Sequence, residues 1–326
     1  APQWMAMGQA GSLDELQALH QKYQGMPWVN TIAASSDGLA WYTDSSATPN
    51  LSREAIATWQ QLKESHPLFS ALSKEGLVAL PGDTSLFAWQ DDPSARDPGV
   101  VPAAGMPQLE RRDYVFNAND SFWLANSAAP IEGNYSPLHG EQGTIRSLRT
   151  RNNDLTLSHR SPDQPAGEDR KFTRDEMKAA LMSNRSYAAE LLKPELLAAC
   201  ENQPLATLDE AELDLGPACE VLTTWDNRFD AESRGAVLFR EWIGQYPSSA
   251  FYEQGDLYAG AFDPADPVNT PSGLADTQLA LQNLARAVQV LESNGHALDV
   301  PLGDLQYAIT KLPERIAVHG LSLIHI

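Results

Sequence analysis

A short apolar run that ends in a cluster of small polar side chains is the feature that most constrains this chain. Residues 114–117 predict a β-strand, and Asn117, Asn119, Asp120 and Ser121 follow at its end. A carboxamide N–H fixed at the end of a strand is the kind of donor that stabilises the oxyanion of an acyl-transfer reaction. The alternative is that Asn117 and Asn119 only shape the turn that closes the strand.

The remaining pattern predicts a fold that mixes helices and strands. Ser12, Ser52 and Thr173 have the positions of N-cap residues, and apolar side chains at helical spacing follow each of them. Strands are predicted at residues 29–34 and 39–43, around a turn at 35–38. Helices are predicted over residues 12–23, 52–64, 173–182, 195–200, 234–245 and 278–293.

Three details of this interpretation are open to direct test. The apolar stripe of the helix at 173–182, which carries Met177, Leu181 and Met182, is expected to face a core. Pro194 is expected to mark the start of a helix. Residues 208–213 read as a short helix or a loop, and residues 90–99 and 158–171 read as exposed loops.

Composition excludes several classes of function. With 43 acidic and 23 basic side chains the net charge is −20, which argues against a phosphate-backbone partner. No apolar run approaches the length of a membrane span, so no membrane partner is expected either. Motifs for a nucleophile elbow, a zincin site or a dinucleotide fold are not found in the sequence. His139 and His159 are interpreted as solvated surface histidines.

The same residues resemble the penicillin acylase family of N-terminal-nucleophile hydrolases, in particular its acyl-homoserine lactone and aculeacin A acylase branch. The resemblance includes residues 113–124, 136–138 and 148–151, and it extends over roughly residues 1 to 320. Further matching segments lie at residues 27–34, 184–191, 218–226, 233–242, 266–271 and 318–320.

The resemblance implies a fold and a position within a larger protein. The fold is the α+β, αββα sandwich of N-terminal-nucleophile hydrolases, expected to be partial here, with the N-terminal part and the C-terminal end missing. Residues 1–320 would be a fragment of the large subunit, because Ala1 has no nucleophilic side chain. Residues 321–326 are interpreted as an artificial tail, and the alternative is an ordinary apolar strand.

The resemblance also assigns roles to individual residues. In the family's Asn-x-Asn pattern the second Asn supplies the oxyanion amide, which is Asn119 here. The supporting arginine falls on Arg149, with Arg146 and Arg151 as alternatives. Phe122 or Trp123 forms part of the acyl pocket or belongs to the core. The isolated chain is expected to be inactive as an amidase.

Partners, cofactors and location follow from the same family. The expected partners are the small subunit of the same precursor (the α chain) and a small acylated substrate. No cofactor is expected; some members hold a structural calcium ion, whose ligands cannot be assigned on this chain. Family members are usually exported to the periplasm, or secreted, where a disulfide persists. Cys200 and Cys219 are therefore expected to pair, and two buried free thiols are the alternative.

The function implied is hydrolysis of the amide bond of an acyl-homoserine lactone or a related acyl amide. Within the family, a β-lactam amidase is an alternative. A non-catalytic periplasmic binding or scaffold protein would have the same composition and secondary structure. The amide and arginine pair favours the enzyme, because a scaffold would not require it.

Overall fold

The computed structural model describes residues 2–27, 29–74, 76–161, 163–208, 211–252, 255, 257–309 and 315–320. The chain divides into two compact units, Ala1–Gly143 and Thr144–Ile326. Residues 321–326, interpreted above as a tail, lie outside the described residues. Both units contain helices and strands, so the expected α+β class is confirmed.

The first unit contains helices, 3₁₀ turns and a small sheet. Its helices are α1 (Pro2–Met7), α2 (Leu13–Tyr23), α3 (Arg53–Ser65) and α4 (Pro67–Lys74), with 3₁₀ turns at Ser85–Phe87, Ala103–Gly105 and Phe122–Leu124. Its strands are β1 (Thr31–Ala34), β2 (Ala40–Thr43) and β3 (Gln108–Arg111), in the antiparallel order β1-β2-β3.

Local sequence signals explain where these elements begin. The side chain of Ser12 accepts a hydrogen bond from the backbone N–H of Glu15, and Ser52 does the same for Ala55. Each hydroxyl thereby satisfies one of the N–H groups that a helix leaves unpaired at its start. Gly38, at φ +82°, closes the turn between β1 and β2 in a conformation that favours glycine. These predictions are confirmed.

The predicted strand at residues 114–117 is wrong. The strand of this region is β3, which pairs with β2 so that Gln108 faces Thr43. The chain then leaves the sheet, and Phe116 N–H donates to the carbonyl of Ala125 at 3.0 Å. The side chain of Asn126 donates to the carbonyl of Tyr114 at 2.8 Å. Loop residues therefore satisfy the polar backbone groups that a neighbouring strand would otherwise have bound.

The second unit is built around packed helices. Its helices are α5 (Leu148–Leu157), α6 (Arg174–Leu181), α7 (Tyr187–Asn202), α8 (Gly216–Thr224), α9 (Ala236–Ile243), α10 (Thr277–Ser293) and α11 (Leu302–Leu305), with a 3₁₀ turn at Ser248–Phe251. Two hairpins accompany them: β4 (Leu205–Leu208) with β5 (Ala211–Asp214), and β6 (Tyr307–Ala308) with β7 (Ile316–Ala317).

The core of this unit lies where α7, α9 and α10 meet. Leu192, Leu238 and Leu284 are fully buried in it. The indole N–H of Trp242 donates to the carbonyl of Ala280 at 3.0 Å, which satisfies a polar atom that burial would otherwise leave unpaired. The apolar spacing predicted for residues 234–245 and 278–293 is thus confirmed as helical and core-facing.

The expected disulfide is present. Cys200, at the end of α7, is bonded to Cys219 in α8, and their Cα atoms lie 6.3 Å apart. This separation is within the range of roughly 4.4–6.8 Å that a bridge requires. The bridge closes a loop that contains the β4–β5 hairpin. The residues of 208–213 that the structure describes therefore belong to strands, and the helix or loop expected there is wrong.

Two predictions about helices in this unit are corrected. Pro194 does not start a helix but lies inside α7. Buried residues on both sides of it, among them Leu192 and Leu196, form one continuous packed face, and this packing outweighs the missing hydrogen bond. In α6, Leu181 and Met177 are 78% and 43% exposed, so the apolar stripe does not face a core. The capping box of Thr173 and Glu176 fixes the start of α6 independently of such packing.

No helix in the described part of the chain is both long and apolar enough to cross a lipid bilayer.

Candidate functional site

Asn119 lies in a tight turn that its neighbour Asn117 holds in place. Its backbone has φ +57°, in the left-handed region that Asn tolerates better than most residues. The side-chain oxygen of Asn117 accepts the N–H of Asn119 at 2.8 Å, and its amide donates to the carbonyl of Asp120 at 2.9 Å. Asn117 therefore forms the turn, as the alternative interpretation of this residue required.

A relay of hydrogen bonds connects this turn to the sheet. The hydroxyl of Tyr42, in β2, donates to the side-chain oxygen of Asn30 at 2.6 Å. The amide of Asn30 then donates to the side-chain oxygen of Asn117 at 3.2 Å. Burial raises the pKa of Tyr42 well above its ordinary value, and the charge of Asp44 raises it further, so the phenol remains a neutral donor.

Asn119 is exposed and lines a cleft of about 630 Å³ within the first unit. Polar residues of the lining include Asn30, Asp44, Asp120 and His139, and the apolar lining includes Val78, Leu80, Trp89 and Leu138. Asn119 follows a loop in the structure and not the strand that the sequence predicts before it.

Asp44 and His139 form a buried pair in this cleft. Asp44 follows β2 directly, and its carboxylate lies 3.0 Å from Nδ1 of His139. Burial alone would raise the pKa of Asp44, but hydrogen bonds from His139 and Ser46, and the charge that His139 carries when it is protonated, outweigh burial and hold the pKa below its ordinary value. The carboxylate therefore stays ionised in the cleft.

The loop that carries His139 is fixed by a close backbone approach. Gly140 has φ +138°, and a Cβ atom at this position would lie 2.7 Å from Oγ of Ser121. The hydroxyl of Ser121 donates to the carbonyl of Glu141 at 2.7 Å. Only glycine lets the backbone at residue 140 come this close to Ser121 without a displacement of either residue. The neighbouring His139 lies against Asp44.

The two histidines interpreted as surface residues are not solvated. The side chain of His139 is fully buried beside Asp44. His159 is half-buried and stacks on Phe172, with ring centroids 5.5 Å apart. The sequence contains no local signal for the His139 pair, because its partner Asp44 lies in another part of the chain and tertiary packing brings them together.

Phe122 and Trp123 belong to the core. Their side chains are 1% and 0% exposed, and Phe122 packs edge to face against Tyr135 with ring centroids 5.2 Å apart. The 3₁₀ turn of residues 122–124 directs them inward, so a place in a pocket wall is wrong for both.

The three arginines lie in the second unit and differ in their surroundings. Arg151 is fully buried in α5, where its Nε donates to the carbonyl of Val268 at 2.7 Å and its guanidinium lies over the ring of Tyr187. Arg146 donates from Nε to the carbonyl of Thr144 at 3.0 Å. Arg149 is half-buried in the first turn of α5. Asn119 belongs to the first unit.

No group of three or more His, Cys, Asp or Glu side chains in the described ranges is placed to hold a metal ion. A calcium site therefore has no assigned ligands on these residues.

Comparison with known proteins identifies the family. The Penicillin amidase family model matches residues 1–321. The chain belongs to the penicillin amidase family.

Curated relatives of this penicillin amidase chain include two kinds of acylase. Aculeacin-A acylase of Actinoplanes utahensis is 35% identical over 97% of the chain and 38% of its own length. Acyl-homoserine lactone acylase PvdQ of Pseudomonas fluorescens is 33% identical over 93% of the chain and 36% of its own length. PvdQ of Pseudomonas syringae pv. syringae is 32% identical over 98% of the chain and 38% of its own length. The chain thus spans less than two fifths of the length of these relatives.

Proposed function

We propose that this chain is part of an amidohydrolase that cleaves the amide bond of an N-acylated substrate. Membership of the penicillin amidase family and the names of the acylase relatives support this proposal. One structural observation connects the proposed activity to a particular residue. Asn119 is exposed, and a tight turn holds its backbone on the wall of a cleft. An amide carried on a fixed turn beside an open cleft suits an oxyanion donor.

The reaction would follow the course of a nucleophilic acyl transfer. An N-terminal nucleophile attacks the amide carbonyl, and its own α-amino group takes the proton. The Nδ2–H of Asn119 donates to the oxyanion, the C–N bond then breaks, and the amine leaves with a proton. Water hydrolyses the acyl-enzyme and releases the carboxylic acid.

Arg149 is proposed as the arginine that supports this site. The alternative Arg151 is committed to the carbonyl of Val268 and the ring of Tyr187, which leaves it a structural role in the second unit. A guanidinium can hold an amide by its carbonyl oxygen, so that the N–H atoms point away from it. Arg146 is the alternative for this supporting role, because it lies close to Arg149 in the sequence.

The assembly and location proposed for the protein follow the family. The three-stranded sheet of the first unit would belong to the αββα sandwich of an N-terminal-nucleophile hydrolase, completed by a small α subunit from the same precursor. A periplasmic or secreted location is supported by the Cys200–Cys219 bridge, because disulfides persist in oxidising compartments.

The test is product analysis with the enzyme that carries this chain. Acyl-homoserine lactones of graded chain length, a lipopeptide amide and a penicillin are incubated with it, and products are quantified by liquid chromatography and mass spectrometry. An acylase releases the acid and the amine in equal amounts. Opening of the lactone ring without release of the acid, or binding without turnover, would contradict the proposal. Release from the penicillin alone would favour a β-lactam amidase.

A further inference from the structure

The cleft beside Asn119 combines an acidic side with an apolar side. Asp44 and Asp120 line it together with His139, and Trp89 and Val78 line it as well. Trp89 is 54% exposed and Val78 is 48% exposed, although both are large apolar residues. An accessible aromatic ring close to carboxylates is a combination that binds an organic cation with an apolar body.

His139 provides a second sign of a ligand at this place. Its Nδ1 is bound to Asp44, and its Nε2 is buried with no hydrogen-bond partner among the described residues. When Nδ1–H donates to the carboxylate, the neutral ring keeps Nε2 as an acceptor. Buried polar atoms are normally satisfied, so an unpaired acceptor in the lining of a cleft points to a missing donor.

The negative charge of the cleft determines whether the cleft can bind the amine half or the acyl half of an amide substrate. Hydrolysis breaks the C–N bond; the nitrogen takes a proton and leaves as an amine, and the acyl carbon ends as a carboxylate after water has added. The carboxylate product would be repelled by the acidic side chains of Asp44 and Asp120, whereas an ammonium group would be attracted by them. The acidic side therefore suits the amine half of the substrate and not the acyl half.

We propose that this cleft is the subsite for the amine leaving group, and that it selects amines that carry a positive charge on an apolar body. Asp44 and Asp120 bind the charge, Nε2 of His139 accepts an N–H of the leaving group, and Trp89 covers its apolar part. The assignment to the amine side rests on the proposed function. Binding of a cationic amine in the cleft does not require turnover and can be measured separately.

The experiment uses two anilides with the same acyl chain in the enzyme that carries this chain. One is the anilide of 4-(aminomethyl)aniline, which is cationic, and the other is the anilide of 4-ethylaniline, its neutral counterpart of nearly equal shape. The wild-type enzyme is expected to have the higher kcat/KM for the cationic anilide. Asp120→Asn and Asp44→Asn should each lower that value about tenfold, the size of a lost hydrogen bond to a charged group.

The neutral anilide and two further variants serve as controls. Asp120→Asn should change kcat/KM for the neutral anilide by less than about twofold, as expected for a change outside its contacts. Trp89→Ala should lower kcat/KM for both anilides. Glu64→Gln, which removes an exposed carboxylate of α3 outside the cleft lining, should change neither. If Asp44→Asn breaks the buried pair with His139 and prevents folding, the comparison of the two anilides with Asp120→Asn still tests the proposal.

Binding of the free amines separates this proposal from the proposed function. Titration calorimetry with 4-(aminomethyl)aniline and 4-ethylaniline should show tighter binding of the cation, and Asp120→Asn should abolish the difference. Equal losses on both anilides, or no preference in binding or turnover, would overturn the subsite. Selective binding without hydrolysis of either anilide would leave a cation-selective site in the cleft, but would contradict the proposed function and with it the assignment to the leaving group.

Discussion

The turn around Asn119 shows how single residues set the conditions for a test of function. At φ +57° a residue with a Cβ and no compensating side-chain hydrogen bond is strained by about 1–2 kcal/mol. Asn119→Ala therefore removes the amide and strains the turn together. Asn119→Gly removes the amide without that strain, which makes it the cleaner variant. Asn117 is a poor control for Asn119, because its side chain holds the backbone of the turn.

The pH dependence of stability is expected to depend on His20. Its ring is 2% exposed, and Nδ1 lies 2.7 Å from the hydroxyl of Ser45. Burial lowers the pKa of His20 from 6.5 to about 4. As pH falls from 6.5 to about 4, the unfolded chain binds a proton at this position that the folded chain does not bind. The free energy of unfolding should therefore decrease across this range.

Urea unfolding of His20→Asn at several pH values between 7 and 4 measures this effect directly. The variant should lose part of the decrease seen in the wild-type protein over that range. His66→Asn, which replaces an exposed histidine of the same unit, should keep the wild-type dependence. The same dependence on pH in wild type and His20→Asn would contradict the assignment.

The sequence predicts residues whose chemistry is local and misses those that tertiary structure brings together. The dense cluster of small polar side chains around Asn119 indicates a turn, because small amides are favoured in turns and bond to the backbone there. Asp44 and His139 have no comparable signal, because the two residues are far apart in the chain. Their pairing depends on the approach of Gly140 to Ser121, which no local pattern contains.

At the scale of secondary structure, caps and periodicity predict helices α2, α3, α6, α9 and α10. The start of α3 follows from the Ser52 hydroxyl, and the length of α10 follows from its apolar spacing. The sequence predicts a strand at residues 114–117 that does not form. The backbone groups of Tyr114 and Phe116 bond to residues 125–126 of a loop and not to a neighbouring strand, and no local pattern indicates this. The exposed stripe of α6 shows that apolar spacing alone does not establish what covers a helix.

Pro194 gives a test of helix α7. The residue is exposed inside the helix, where proline lacks the N–H that would donate to the preceding turn. Pro194→Ala should raise the free energy of unfolding by about 2 kcal/mol, since alanine is the more favourable residue in a helix interior. Urea unfolding of the two proteins measures the difference.

Glu201→Ala, at an exposed position near the end of α7, is the matched control and should change stability by less than about 0.5 kcal/mol. A loss of stability in Pro194→Ala would mean that α7 depends on the proline ring at this position.

The disulfide between α7 and α8 is expected to stabilise the second unit. It closes a loop of sequence separation 19. The double variant Cys200→Ser/Cys219→Ser should have a free energy of unfolding lower by about 3 kcal/mol, chiefly because the unfolded chain gains freedom. Reduction of the wild-type protein should have a similar effect in unfolding experiments. Equal stability of the oxidised protein and the double variant would contradict this account.

At the scale of the whole molecule, the order of motifs indicates the family better than any single motif. The family match extends over residues 1–321, the same range in which separate short segments resemble that family. The described residues reproduce the mixed α and β class that the sequence predicts. Substrate choice depends on the shape of whole pockets.

The most direct test of the central claim is the kcat of Asn119→Gly in the enzyme that carries this chain, measured on an acyl amide after subunit processing has been verified by gel and mass spectrometry. If Asn119 donates to the oxyanion, kcat should fall by about 10²–10³ while the thermal stability stays close to that of wild type. Asn134→Gly, at an exposed position outside the cleft lining, should retain wild-type kcat. A processed Asn119→Gly enzyme with near-normal kcat would contradict the account and leave Asn119 as a residue of the turn.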